Sequence, residues 1–309
     1  MDRKQNQWKA WLYLLPAIII LAVFTVWPIF NTIRISLLKD YSYLKAIGGK
    51  TFDFGFSNFK YVVEYNRFWN YLGNTMLLTV LTVPISTMLA LLIAVGLNSI
   101  KFLKKTFQTI FFLPYVTNSI AIGMVFMAMF HMVGVDPANP MSVGIINRII
   151  EACGGTRINW VDAGSTKVAN MAVMVIYIVW NALPFKILVL LGGLQSVNKQ
   201  YYEAAKVDGA SRFRIFWRIT VPLLSPMIAY VVITGFIGGF KEYSSIVGIF
   251  GETMGPIGDD GRLNTIVGFI YENIDRNQGR ASAAALILFV IIFIVTMINM
   301  YVSKKRVHY

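Results

Sequence analysis

Apolar residues gather in six runs separated by polar stretches, and each run can cross a bilayer, which takes roughly 20 helical residues. They cover residues 11–33, 72–97, 107–132, 168–194, 222–250 and 281–302. The pattern predicts an all-α integral membrane protein of six transmembrane helices, folded as a single domain over 1–309. Pro16 and Pro28 fall in the first run and Pro114 in the third, positions that a helix tolerates better in lipid than in water. The first run is longer than the apolar core of a signal peptide and has no small-residue cleavage site. It is expected to stay as the first helix.

Composition supports the same class. Hydrophobic residues make up 56% of the chain and charged residues 14%, and the mean hydropathy is +0.60. A soluble domain of 309 residues needs more charge to cover its surface. Cys153 is the single cysteine, which excludes an intrachain disulfide, and His131 and His308 offer little for zinc or histidine-based catalysis.

The formal net charge of +13 takes its meaning from its distribution. The N-terminus, the 98–106 linker with Lys101, Lys104 and Lys105, the 195–221 loop and the tail carry fourteen Lys and Arg. They hold only three acids, Asp2, Glu203 and Asp208, for a net of +11. The other loops, including 39–71 and 133–167 with Asp136, Glu151 and Asp162, carry eleven of each sign. Basic loops stay in the cytoplasm, so both termini and the 195–221 loop are expected inside. The basic excess is a topology signal, and nucleic acid is not an expected partner.

Two stretches bear on nucleotide chemistry. Gly48-Gly49-Lys50-Thr51 invites comparison with a phosphate-binding loop, but that pattern needs a glycine five residues before its second glycine, where this chain has Leu44. No ATP site is expected on this chain. The second stretch is YYEAAKVDGASRFRIFWRITVPLLSP, residues 201–226. Tyr201 to Val207 suit a helix and Asp208-Gly209 a turn that ends it. A second short helix carries Phe213, Phe216 and Trp217 among Arg212, Arg214 and Arg218. This helix-turn-helix is too short to span a membrane and too aromatic to stand free in water, so it needs a partner groove or a lipid surface.

The order Glu203-Ala204-Ala205, three residues, Gly209, nine residues, Ile219 and then Val221-Pro222 resembles the cytoplasmic coupling (EAA) loop of ABC-importer permeases. Val221 stands where that family usually has Leu. The segments WLYLLPAIIILAVFTVWPIF, FQTIFFLPYV, GGLQSVNKQYYEAAKVDGA and GGFKEYSSIVGIF resemble landmarks of the carbohydrate (maltose and glycerol-phosphate) branch. The resemblance implies a multi-pass permease of the bacterial cell membrane that does no covalent chemistry. It implies a cytoplasmic ATPase dimer holding ATP and Mg, a second permease subunit that is a homologous but different chain, and an extracytoplasmic substrate-binding protein. It also implies ATPase contact through Tyr202, Glu203, Ala204, Ala205, Asp208, Gly209, Ala210, Phe213 and Phe216. The solute is then a sugar or oligosaccharide. Another solute (a polyol, sugar phosphate or peptide) is the first alternative, and an ATP-independent channel or secondary transporter the second.

A substrate path needs polar or aromatic groups near the middle of the bilayer. Trp180 and Asn181 lie at the midpoint of the fourth run, and Gly239, Phe240, Glu242 and Tyr243 lie in the outer half of the fifth. An indole face can stack on a sugar ring and an amide can bind hydroxyls, although Trp180 also suits plain packing. Lys186 is read as snorkelling toward the inner surface, and Gly235 with Gly239 as a helix-packing pair.

Overall fold

The computed structural model describes residues 3–100, 104–132 and 143–306. Asp2, Lys101, Asp136 and His308 lie outside them. Apart from one antiparallel bridge between Leu38 and Phe54, the described residues form helices and turns. In chain order these are α1 (Arg3–Leu21), a π turn (Ala22–Val26), α2 (Trp27–Ser36), α3 (Tyr43–Ile47), α4 (Ser57–Glu64), α5 (Phe68–Ser99), α6 (Lys104–Val116), α7 (Ser119–Phe130) and α8 (Ile145–Ala152). The rest are α9 (Lys167–Ser196), α10 (Lys199–Val207), α11 (Arg212–Ile215), a second π turn (Phe216–Thr220), α12 (Val221–Leu223), α13 (Ser225–Gly239), α14 (Ser244–Phe250), α15 (Ile266–Ile274) and α16 (Gln278–Arg306).

Four segments are long and apolar enough to cross a membrane: Trp11–Ser36, Phe68–Ser99, Lys167–Ser196 and Gln278–Lys304. Two further candidates are broken. Gln108–Val116 meets Ser119–Phe130 at 103°, and Arg212–Leu223 meets Ser225–Gly239 at 68°. Counting each bent pair as one span gives six. The continuous third and fifth helices expected from the hydrophobic pattern are therefore replaced by broken ones. At the first break Asn118 starts a new helix, its Oδ1 accepting from the Ile120 and Ala121 N–H groups at 2.8 and 3.3 Å. At the second, Leu224 leaves the helix and Pro226, which has no N–H to bond back across the break, stands in the first turn of α13. The fifth run also stops at Gly239 and not at Phe250. Residues 240–243 leave the helix, and α14 restarts where the Ser245 N–H donates to Glu242 Oε1 at 3.1 Å.

Both π turns have the same local cause. Pro28 and Pro222 supply no N–H, and in each case the residue before the proline donates to the carbonyl five back, Trp27 to Ala22 and Val221 to Phe216.

The chain divides into two compact units. The first comprises Met1–Trp69 and Phe269–Val290. Within it Asn58 is buried, and its Nδ2 donates to the Ser36 and Leu38 carbonyls at 2.9 and 2.8 Å. Arg280 donates to Asp40 Oδ1 at 3.1 Å and lies 3.6 Å over the Tyr61 ring. Burial alone would raise the Asp40 carboxyl, but Arg280, Asn277 and Lys45 outweigh it and hold the group below its ordinary value. The most apolar part of Trp11–Ser36 is wholly exposed within this chain.

The second unit comprises Asn70–Gly268 and Ile291–Tyr309. Its first apolar cluster joins Phe126 and Phe130 of α7, Met174, Tyr177 and Ile178 of α9, and Ile246, Ile249 and Phe250 of α14. Gly123 and Gly248 let α7 and α14 touch: a Cβ on Gly123 would lie 2.6 Å from the Gly248 Cα. The second cluster joins Ala90, Leu91 and Ala94 of α5 to Ile187, Leu190 and Leu191 of α9, with Leu224 and Val231. Helix α9 thus runs from one cluster to the other, and between them its residues line a cavity.

Candidate functional site

The cavity measures about 320 Å³, at the lower end of small-molecule sites, roughly 300–1,000 Å³. Thr82, Val83 and Ser86 of α5, Tyr115 of α6, and Ile178, Asn181, Ala182, Phe185 and Lys186 of α9 form part of its wall. Val231, Thr234, Gly235, Gly238 and Gly239 of α13, with Glu242, complete it.

Helix α5 brings a polar face into an apolar setting. Thr75, Thr79, Thr82 and Ser86 follow helical spacing, and each hydroxyl donates to the carbonyl four residues back at 2.8, 2.7, 2.7 and 2.5 Å. Such back-bonding satisfies the donor and leaves oxygen lone pairs for another group. Lys186 uses them. Its Nζ donates to Ser86 Oγ at 2.7 Å, Thr87 Oγ1 at 2.9 Å and the Val83 carbonyl at 3.2 Å. The lysine is 4% exposed. It does not snorkel, because these oxygens replace the water it would otherwise reach for.

Glycines set the approach of α13. A Cβ on Gly239 would lie 2.8 Å from Thr79 Cγ2, and one on Gly235 would lie 3.1 Å from Val83 Cγ1 and 3.2 Å from Lys186 Nζ. Both glycines are packing positions, whereas a Cβ on Gly238 would meet nothing. On the other side Tyr115 and Phe185 stack with ring centroids 5.9 Å apart and planes 19° apart.

The six residues nominated for a substrate path separate. Asn181, Gly239 and Glu242 line the cavity. Trp180 instead tilts against Phe126 at 5.4 Å, Tyr243 packs on the first apolar cluster, and Phe240 is 1% exposed. Among the described residues the Asn181 amide bonds to no protein group, which leaves it free for a ligand. Sequence reasoning missed Thr82, Ser86, Tyr115, Phe185 and Thr234. The Thr/Ser spacing on α5 was the signal that could have found the first two.

The second candidate region is 195–221. Helix α10 starts at Asn198, whose Oδ1 accepts from the Gln200 N–H at 3.0 Å. It ends at Asp208, and Gly209 follows at φ +70°, a conformation that a side chain strains. The Ala210 N–H then closes the turn on the Ala205 carbonyl at 2.9 Å, and Ser211 caps α11. Ala205 is buried, Tyr202 is half-buried with its hydroxyl 3.5 Å from Thr220 Oγ1, and Phe216 packs on the second apolar cluster. Glu203, Ala204, Asp208 and Phe213 face outward, Phe213 at 74% exposure. Ala210 is half-buried at the turn.

A family model described as the binding-protein-dependent transport system inner membrane component matches residues 82–308, which include both regions. The chain belongs to this family. This inner membrane component is 29% identical over 303 residues to the lactose transport system permease protein LacF of Rhizobium radiobacter, covering 96% of this chain and 95% of that one. It is 34% identical to the arabinooligosaccharides transport system permease protein AraP of Halalkalibacterium halodurans, covering 78% and 76%. Its fold matches a chain of the crystal structure of a bacterial ABC transporter involved in the import of alginate. There the TM-score is 0.73 at 22% identity, over 97% of this chain and 96% of that one. The chain is thus a permease of an ABC importer, a component of the bacterial inner membrane.

Proposed function

We propose that this permease carries a sugar or oligosaccharide across the membrane through the cavity walled by α5, α6, α9 and α13. The observation that carries the reading is the lining itself: a free amide at Asn181, hydroxyls at Thr82, Ser86 and Thr234, and the stacked rings of Tyr115 and Phe185. Amide and hydroxyl groups match sugar hydroxyls, and aromatic faces match the apolar face of a pyranose. Relatives named for lactose and arabinooligosaccharide transport favour the same class.

In this reading six spans place both termini and the 195–221 loop in the cytoplasm. Glu203 and the outward face of that loop seat in a groove of a cytoplasmic ATPase dimer, which holds ATP and Mg. A second, homologous permease chain completes the pathway, and an extracytoplasmic protein delivers the sugar. ATP closes the ATPase pair, the loop moves with it, and the cavity opens outward. The test is purification of the intact complex, with mass spectrometry of its subunits and retained ligand. A complex without an ATPase, or with a non-carbohydrate ligand, overturns the reading. Orientation has its own test in a Cys153→Ser background. A cysteine at Asp260 is expected to react with an impermeant reagent in whole cells, and one at Lys104 only after permeabilisation.

A further inference from the structure

The cavity wall carries a cation whose hydrogen bonds are complete but whose charge is not balanced. All three N–H donors of Lys186 go to neutral oxygens, and among the described residues no carboxylate pairs with it. Burying an unpaired ion is costly, and an ionisable side chain inside a membrane segment faces protein or water and marks a pathway. The head group is also held in place. The Ser86 and Thr87 hydroxyls donate to the Thr82 and Val83 carbonyls at 2.5 and 2.7 Å, so their oxygen lone pairs stay on Nζ.

We propose that this site takes the anionic group of a charged carbohydrate, a carboxylate or a phosphate, against Lys186. The inference rests on the carbohydrate-permease reading above. Any ligand that bonds to Nζ takes the place of one of its three neutral acceptors; a neutral hydroxyl brings no balancing charge in exchange, whereas an anion does. Gly235 keeps the head within reach, because a Cβ there would lie 3.2 Å from Nζ. The cavity's other ionisable group, Glu242, is committed to the start of α14: its carboxyl accepts from the Ser245 N–H at 3.1 Å and bonds to the Ser245 side chain and the Tyr243 backbone. Asn181 lies on the same wall, and the Tyr115–Phe185 pair supports the ring. The ligand therefore binds in one orientation, its anionic end at Lys186.

The experiment offers cells carrying the whole transport system, and the same cells lacking this chain, three sets of di- to tetrasaccharides: neutral, carboxylated and phosphorylated. Intracellular sugars are identified by mass spectrometry. Chain-dependent entry of a charged set is expected, and which set enters distinguishes carboxylate from phosphate. Lys186→Met is expected to lower that entry by at least about tenfold, as truncating one partner of a buried charge pair does. Lys186→Arg is expected to keep most of it, with ATPase co-purification unchanged in both. If Lys186→Met does not assemble, Gly235→Ala takes its place, crowding Nζ with the charge retained, and is expected to lower entry of the charged set. Entry of the neutral set alone overturns the anion site and leaves the carbohydrate reading standing. Entry of none of the three overturns both. Undiminished entry of a charged set in assembled Lys186→Met, or in Gly235→Ala where it stands in, overturns the anion site.

Discussion

The cavity wall and the 195–221 loop treat rings and polar groups in opposite ways. In the wall, Tyr115 stacks on Phe185, the α5 hydroxyls bond back to their own helix, and Lys186 is surrounded by oxygens. In the loop, Tyr201, Val207 and Phe213 are 56, 88 and 74% exposed, and Phe213 lies beside the cationic Arg214 and Arg218. The rings and hydroxyls of the wall find partners within this chain, whereas exposed apolar groups clustered beside charges are the mark of an interface. A change in the wall is therefore expected to alter handling of solute with assembly intact. A change on the outer face of the loop is expected to alter assembly with the fold intact.

The largest effect is expected at Gly209, where φ is +70°. Gly209→Val adds strain of roughly 1–3 kcal/mol and rebuilds the turn between α10 and α11. Transport and ATPase co-purification are both expected to be lost while the chain stays in the membrane. Survival of both would falsify the assignment of the loop as the docking element.

Next comes Asn181→Leu, which removes the free amide from the wall. A lost buried hydrogen bond costs roughly 1–3 kcal/mol, so uptake at matched expression is expected to fall from severalfold to about a hundredfold, with assembly unchanged. Trp180→Ala separates wall from core at the neighbouring position. Trp180 packs on Phe126, so this change is expected to lower thermal stability, by less than the roughly 3–5 kcal/mol of a fully buried Trp→Ala change. Transport per folded molecule is expected to hold. Equal uptake in Asn181→Leu and wild type would move the solute path elsewhere.

Phe213→Ala tests the loop from its exposed side. With 74% of Phe213 in solvent, its melting temperature is expected to match wild type while ATPase co-purification weakens. A destabilised chain with unchanged co-purification would reverse the contrast between wall and loop.

The smallest effect belongs to neither region. The Asp40 carboxyl is held below its ordinary value, with Arg280 3.1 Å away. A depressed carboxyl contributes stability that is present above the unfolded value of 3.8 and is lost as pH falls through the lower folded value. Asp40 is half-exposed, so Asp40→Asn is expected to cost under about 1 kcal/mol at neutral pH. Melting curves of the two forms are expected to converge as pH falls below 3.8, and a gap that widens there would sink the assignment.

Much of the fold was legible as local pattern. Length and apolarity located every candidate span, and Glu203-Ala204-Ala205 with Gly209 marked a helix ending in a turn that needs positive φ. The breaks were harder to read. Asn118 as a cap and Pro226 as a helix start sit inside long apolar runs, where the hydrophobic signal hides a change of direction. Asn181 and Trp180 look alike by position. Which of the two reaches the cavity depends on where α7 places Phe126.

By itself the sequence determined the helical class, the positions of the apolar segments, the charge asymmetry of their loops and the Glu203-Ala204-Ala205 to Gly209 spacing, because each depends on residues within a few turns of one another. The tertiary structure decided the role of Lys186. Its two hydroxyl partners are 100 and 99 residues away in the chain. Periodicity can show that α5 has a hydroxyl face, but not which helix that face meets. Only the packing of α9 and α13 against α5, through glycines without a Cβ to hold them apart, joins a lysine, a free amide and an acid in one cavity.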